Sequence, residues 1–206
     1  MKISSQFMKS IFGIFGMLLL LAPLTVLAQT KVVVIPLGED SSAVSAGVGT
    51  QITTSPYTIS APGFYYLGGN LSGRIYITSS NVTLDLMGFT MSGSGVGSGT
   101  GITISSGPWK NVEIRNGTVR NFVDGIGAYF VDPPETCHRI INVRVIENTD
   151  KGIRLAGFGH IINGCTAYGN DTGIHCSNSL LVNNVSTLND TANISGTGNT
   201  LVDNRF

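Results

Sequence analysis

The chain has 206 residues, with 12 basic and 12 acidic side chains, 27 glycines and a charged fraction of only 12%. A balance this even gives no electrostatic drive toward nucleic acid or anionic lipid. Low charge with abundant Gly, Ser, Thr and Asn suits a β-rich exported protein with many tight corners.

Residues 1–28 read as a cleaved signal peptide. Lys2 and Lys9 precede an apolar run over 11–21, which Pro23 interrupts, and Val26 and Ala28 meet the small-residue rule for cleavage after Ala28. The run is short for a bilayer span. A secreted or periplasmic protein with no stable membrane span follows. Residues 29–50 form a leader and linker, with Ser, Ala and Gly over 38–49, and residues 51–206 form one structured domain.

Tyr57 to Ser60 and Phe64 to Leu67 flank the turn Ala61-Pro62-Gly63 and are predicted to form an N-terminal β cap over an open solenoid end. Beyond Arg74 the chain repeats. Leu181-Val182-Asn183-Asn184 returns as Leu201-Val202-Asp203-Asn204, about 20 positions on, with alternating apolar residues between Asn and Gly corners. Six coils are predicted, starting near Arg74, Gly101, Gly125, Gly152, Gly173 and Asn193. Two excursions leave the repeat, the Gly/Ser loop 92–100 and the insertion 131–137.

Superposed coils predict inward columns Val82, Val112, His138, His160, Leu180, Thr200 and Leu84, Ile114, Ile140, Ile162, Val182, Val202. A third holds Ile102, Ile126, Ile153, Ile174, Ile194, and a fourth Val143, Cys165, Val185. Corner columns Asn116, Asn142, Gly164, Asn184, Asn204 and Asn148, Asn170, Asp190 predict stacked asparagine ladders with structural roles. Gly at most coil starts is expected to supply backbone angles closed to other residues. Corner Asn followed by Thr or Ser, as at Asn81, Asn116 and Asn184, produces glycosylation-like triplets without implying modification. Asp85 with Arg115, and Glu113 with Arg139, are expected to pair on the surface. Cys165 and Cys176 point inward as core residues. With Cys137 they make an odd count, and whether two of them pair stays open.

These columns and corners resemble the right-handed parallel β-helix repeat proteins of the pectate-lyase-like superfamily. Asn81-Val-Thr-Leu-Asp-Leu-Met-Gly-Phe-Thr-Met91 and Asn111-Val-Glu-Ile-Arg-Asn-Gly-Thr-Val119 resemble successive coils of secreted members. The resemblance implies a right-handed helix with three parallel sheets. It also implies Ca²⁺ as the family's cofactor, although the carboxylate cluster that holds it there has no counterpart on one face here, so no cofactor is expected.

Ligands of such a fold meet its outward columns. One is Thr103, Gly127, Arg154, His175, Ser195, which places Arg154 beside His175, a pair able to hold a sugar carboxylate or abstract a proton next to one. Two solvated surface residues are the simpler reading. The stretch Tyr129-Phe130-Val131-Asp132-Pro133-Pro134-Glu135 resembles the Tyr-Gly-Phe-Asp-Pro-His segment of mannuronan C5-epimerases, with Pro134 where that family has His. It makes Asp132 a third catalytic candidate, against a rigid Pro-Pro excursion. His138 and His160, stacked in one column, are candidate metal ligands, against core-edge imidazoles bonded to backbone. Three functions follow: a non-enzymatic binder of polysaccharide or a cell-envelope component, a polysaccharide lyase or epimerase, and a structural solenoid that associates end to end or continues in a longer β-helix.

Overall fold

The computed structural model describes residues 49–95, 97–129 and 137–206. The signal-peptide and leader assignments, and Asp132, fall outside them. The described chain is an all-β parallel β-helix, a solenoid of about six turns with no helix. After β1 (Thr50–Ile52), the coils run β2 (Tyr57–Ile59), β3 (Gly63–Leu67), β4 (Leu71–Ser72); β5 (Ile75–Ile77), β6 (Val82–Asp85), β7 (Thr90–Ser92); β8 (Ile102–Ile104), β9 (Val112–Arg120); β10 (Ile126–Ala128), β11 (Arg139–Ile146). They continue as β12 (Lys151–Leu155), β13 (Ile161–Asn163), β14 (Thr166–Tyr168); β15 (Thr172–Cys176), β16 (Leu180–Val182), β17 (Val185–Thr187); and β18 (Ala192–Ser195), β19 (Thr200–Val202).

Every pairing is parallel and joins one coil to the next. Face one carries β1, β3, β6, the first halves of β9 and β11, β13, β16 and β19. Face two carries β4, β7, the second halves of β9 and β11, β14 and β17. Because β9 and β11 bend through the corner unbroken, these two faces form one 12-stranded sheet. Face three is the separate seven-stranded sheet β2, β5, β8, β10, β12, β15, β18. The expected N-terminal β cap takes the form of a further coil: β2 stacks on β5, β3 stacks on β6, and β1 adds to the free edge of β3. Stacked Ile, Leu and Val fill the interior, with Ile102, Ile126, Ile153 and Ile174 each fully enclosed.

Each corner obeys one rule. Its outer residue takes a left-handed backbone, with φ from 48° at Asn178 to 72° at Gly159 along the column Asn81, Asn111, Cys137, Gly159, Asn178, Gly198. The other corners repeat this at Asn116, Asn142, Gly164, Asn183, Asp203 and at Asn121, Glu147, Gly169, Leu188. The following residue turns inward. At Gly117 and Val143 the paired strands run on through the corner, whereas at many of the other corners a side chain of the next coil accepts the inward residue's backbone N–H. Asn148 Oδ1 takes the Phe122 N–H at 3.1 Å, Asn170 Oδ1 takes that of Asn148 at 3.1 Å, and Asn189 Oδ1 takes that of Asn170 at 3.1 Å. The same amides donate three residues upstream, to the carbonyls of Val119, Val145 and Ala167. Asn184 and Asn204 serve the Cys165 and Asn184 corners in the same way, and Asn199 serves the Ser179 corner. Each of these carboxamides therefore fills an opened turn of the preceding coil. Leaving such an N–H unpaired would cost about 1–3 kcal/mol.

The corners correct the predicted register at the fifth coil. Ile162 pairs with Leu181 and His160 stands over Ser179, one residue earlier than expected, so Leu181 rather than Val182 is buried and Leu180 is 36% exposed. The steps Leu181 to Leu201 and Ile174 to Ile194 hold as predicted. Asn184 and Asn204 consequently belong to the inward ladder below Cys165, while Asn116 and Asn142 pair separately outside, at 3.1 Å. Asn189 replaces Asp190 below Asn170, and Asn184 replaces Val185 below Cys165. The glycines at coil starts also need another explanation. Gly101, Gly125, Gly152 and Gly173 do not have positive φ. A Cβ on Gly152 would lie 2.6 Å from the Gly173 carbonyl and 2.7 Å from Val145 Cγ2, so these positions are glycine for lack of space.

His138 and His160 occupy a ladder corner. Their rings stack with centroids 5.2 Å apart. His138 Nδ1 accepts the Val112 N–H at 3.3 Å and His160 Nδ1 accepts the His138 N–H at 3.2 Å. Burial lowers both pKa values from 6.5 to about 4, with the neighbouring ring adding to the effect on His160. Between these values the unfolded chain binds more protons than the fold. Stability is therefore complete above pH 6.5 and falls as pH drops toward 4, by on the order of 2 kcal/mol per ring at pH 5. The double substitution His138→Asn, His160→Asn keeps an acceptor of the kind Asn199 provides in the same column, and should flatten most of that slope in urea titrations between pH 7 and 4.5.

Leu188 holds its left-handed corner, φ 54°, with 72% of its surface exposed. Leu188→Asn should stabilise the protein by about 1 kcal/mol, read as a higher urea midpoint at unchanged slope.

Candidate functional site

The outward column of face three runs Thr58, Tyr76, Thr103, Gly127, Arg154, His175, Ser195. Arg154 and His175 are register neighbours, as the sequence predicts. The structure adds partners that the sequence reading missed. Gly127 leaves a notch in the column, and the ring of Tyr129 folds back across it: a Cβ on Gly127 would meet Tyr129 Cε2 and Oη at 3.0 Å. The Tyr129 hydroxyl donates to Asp124 Oδ2 at 2.7 Å and lies 2.5 Å from Thr100 Oγ1. Asp124 is 2% exposed, and its other oxygen accepts the Lys151 N–H at 3.0 Å.

Arg154 completes the cluster. Its guanidinium stacks over the Tyr129 ring, 5.0 Å from the centroid, with Nη1 3.8 Å from Asp124 Oδ2. It makes no hydrogen bond among the described residues, so its planar set of donors is held in place and left unspent. Burial raises the Tyr129 pKa above its ordinary value and Asp124 reinforces this, so the phenol stays protonated. His175 Nδ1 lies 2.7 Å from Ser195 Oγ. Burial, then the Lys151 and Arg154 charges, lower its pKa, so the imidazole is neutral at pH 7.

The other candidates separate from this cluster. The Nδ1 atoms of His138 and His160 accept backbone N–H groups, and His160 Nε2 lies 3.1 Å from the Ala156 carbonyl. Their lone pairs serve the fold rather than a metal, and among the described residues no three His, Cys, Asp or Glu side chains converge on a metal site. All three cysteines are free. Burial pushes the Cys165 thiol up to about 11 and that of Cys176 up to about 12, which keeps both protonated and unreactive. On face one, Arg115 binds Asp85 at 2.8 Å and Glu113 at 3.0 Å, and Arg139 binds Glu113 at 3.0 Å, the predicted ion ladder extended by one link.

Fold and cluster together define a parallel β-solenoid with a preorganised aromatic and cationic surface site at Tyr129 and Arg154. Comparisons with protein-family models, curated proteins and solved structures find no match for the chain. Asp124→Asn retains the shape but replaces one acceptor oxygen with a donor facing the Tyr129 hydroxyl or the Lys151 N–H. It should destabilise the fold by about 1–3 kcal/mol in urea unfolding.

Proposed function

We propose that this chain is an exported, saccharide-binding β-helix of the pectate-lyase-like kind, with its ligand seated on face three at Tyr129 and Arg154. The observation that carries this reading is the Tyr129 ring, held across Gly127 by buried Asp124 and by Thr100, with Arg154 stacked on it and its donors unspent. A sugar presents an apolar C–H face and hydroxyl or carboxylate acceptors. An immobile aromatic ring with an adjacent guanidinium matches both at little entropic cost. Glycan-array screening followed by calorimetry tests it. A bound polysaccharide whose affinity falls about tenfold or more in Arg154→Ala supports the proposal, and no binding to any polysaccharide overturns it.

A second reading, lyase or epimerase action on an acidic polysaccharide, is favoured by His175. A neutral imidazole one coil from Arg154 could take the proton next to a carboxylate held by the guanidinium. It would release an unsaturated, ultraviolet-absorbing product on cleavage, and turnover undiminished in Arg154→Ala, His175→Ala would remove these residues from the reaction.

A further inference from the structure

We propose that face three carries a second anion-binding station at Arg74, so that the ligand is a linear polyanion lying along the helix axis. The inference rests on the saccharide-binding reading for its Arg154 end, while the Arg74 end stands on its own geometry.

Like Arg154, Arg74 lies over a tyrosine ring, here one from its own coil. Its guanidinium lies 5.6 Å from the centroid of the Tyr76 ring. It also rests on Gly99, where a Cβ would come within 2.6 Å of Nη1, so glycine at that position seats the cation. The backbone of Arg74 is pinned from the preceding coil, its carbonyl accepting the Tyr57 N–H at 3.1 Å and the Ser55 hydroxyl at 3.3 Å. No carboxylate pairs with Arg74 among the described residues. Beside it opens a cavity of about 430 Å³ lined by Ser72, Ser92, Ser94 and Ser98 with Phe122. The Ser98 hydroxyl donates to the Gly95 carbonyl at 2.7 Å, which leaves those of Ser72, Ser92 and Ser94. A cation with no carboxylate partner beside such hydroxyl donors is the chemistry that takes an oxyanion: a sulfate ester, a phosphate or a carboxylate.

The Tyr76 ring that Arg74 lies over stands in the Arg154 column, with Arg74 itself two residues earlier in the chain. Tyr76 pairs with Thr103, Thr103 with Gly127 and Gly127 with Arg154, so three coil steps, roughly 14 Å, separate Tyr76 from Arg154. The intervening positions are small, and the Tyr129 ring lies over one of them. A chain bearing an anion at each end of that span meets a cation at both, with an aromatic surface and a Thr hydroxyl between. One linear ligand gains avidity from two weak grips, provided it is long enough to reach both.

Inorganic sulfate titrated into isotope-labelled protein is the first test. It should shift the amides of Gly93, Ser94 and Ser98, and Arg74→Ala, an exposed substitution, should abolish the shifts. Shifts elsewhere, or shifts that survive Arg74→Ala, overturn the station. The second test compares a disaccharide with an octasaccharide, each as a sulfated glucan and as an oligo-uronate, which distinguishes the two sources of the anion. Arg74→Ala should weaken the better octasaccharide about tenfold or more and leave the disaccharide within about twofold. An octasaccharide that depends on Arg154 but not Arg74 leaves the saccharide site standing and overturns the second anchor. Sulfate held at Arg74 with no octasaccharide affinity overturns the shared track.

Discussion

The structure depends on what happens to a backbone N–H at a sharp corner. Along a straight side of the solenoid, each N–H and carbonyl meets its counterpart one coil away. At many of the bends that match fails, and the donor is buried. The carboxamide of asparagine is a peptide group on a short arm, so it can offer an acceptor to the orphaned N–H and a donor to the carbonyl three residues upstream. Asn148, Asn170, Asn189, Asn184, Asn204 and Asn199 all do this. The apolar columns supply most of the burial, and the amides decide where the chain may turn.

This constraint explains why one position of the fold could be read only approximately. The parallel β-helix, the outward column through Arg154 and His175, the ion ladder and most inward columns are visible in the alternation of residues. The fifth coil is not, because Leu180, Leu181 and Val182 are all apolar and Asn183-Asn184 offers two equivalent corners. Alternation cannot choose between registers in such a run. The choice falls to which asparagine can turn inward beneath Cys165 while its predecessor takes the left-handed angle, and Asn183 with Asn184 satisfies both. A sequence signal existed: Asn81, Asn111, Asn116 and Asn142 are each followed by a residue that points inward.

The site was legible in part for a related reason. Arg154 and His175 appear in a column because they are one repeat apart. Asp124 and Tyr129 do not, since their contact is made within one coil, around Gly127, and periodicity carries no information about it. The clue was Gly127, a glycine on an outward column where no backbone requirement calls for one. Face three suits a site for the same reason. Face one is taken up by the paired charges of Asp85, Arg115, Glu113 and Arg139, whereas Arg74 and Arg154 on face three lie over rings, and only Arg154 has an acid near it, Asp124 at 3.8 Å.

The ladder bonds all point one way. Each ladder asparagine, Asn148, Asn170, Asn184, Asn189, Asn199 and Asn204, completes a corner of the coil before its own. At these corners a coil does not complete its own turn, and its successor supplies the missing amide. Each turn so served is locked only when the coil that follows it in the chain has docked. A solenoid cut back by one coil would therefore lose that coil's pairing and would also open the corner of the layer above it. A coil laid down out of register presents its inward-facing asparagine to the wrong carbonyl, and the layer behind it stays open.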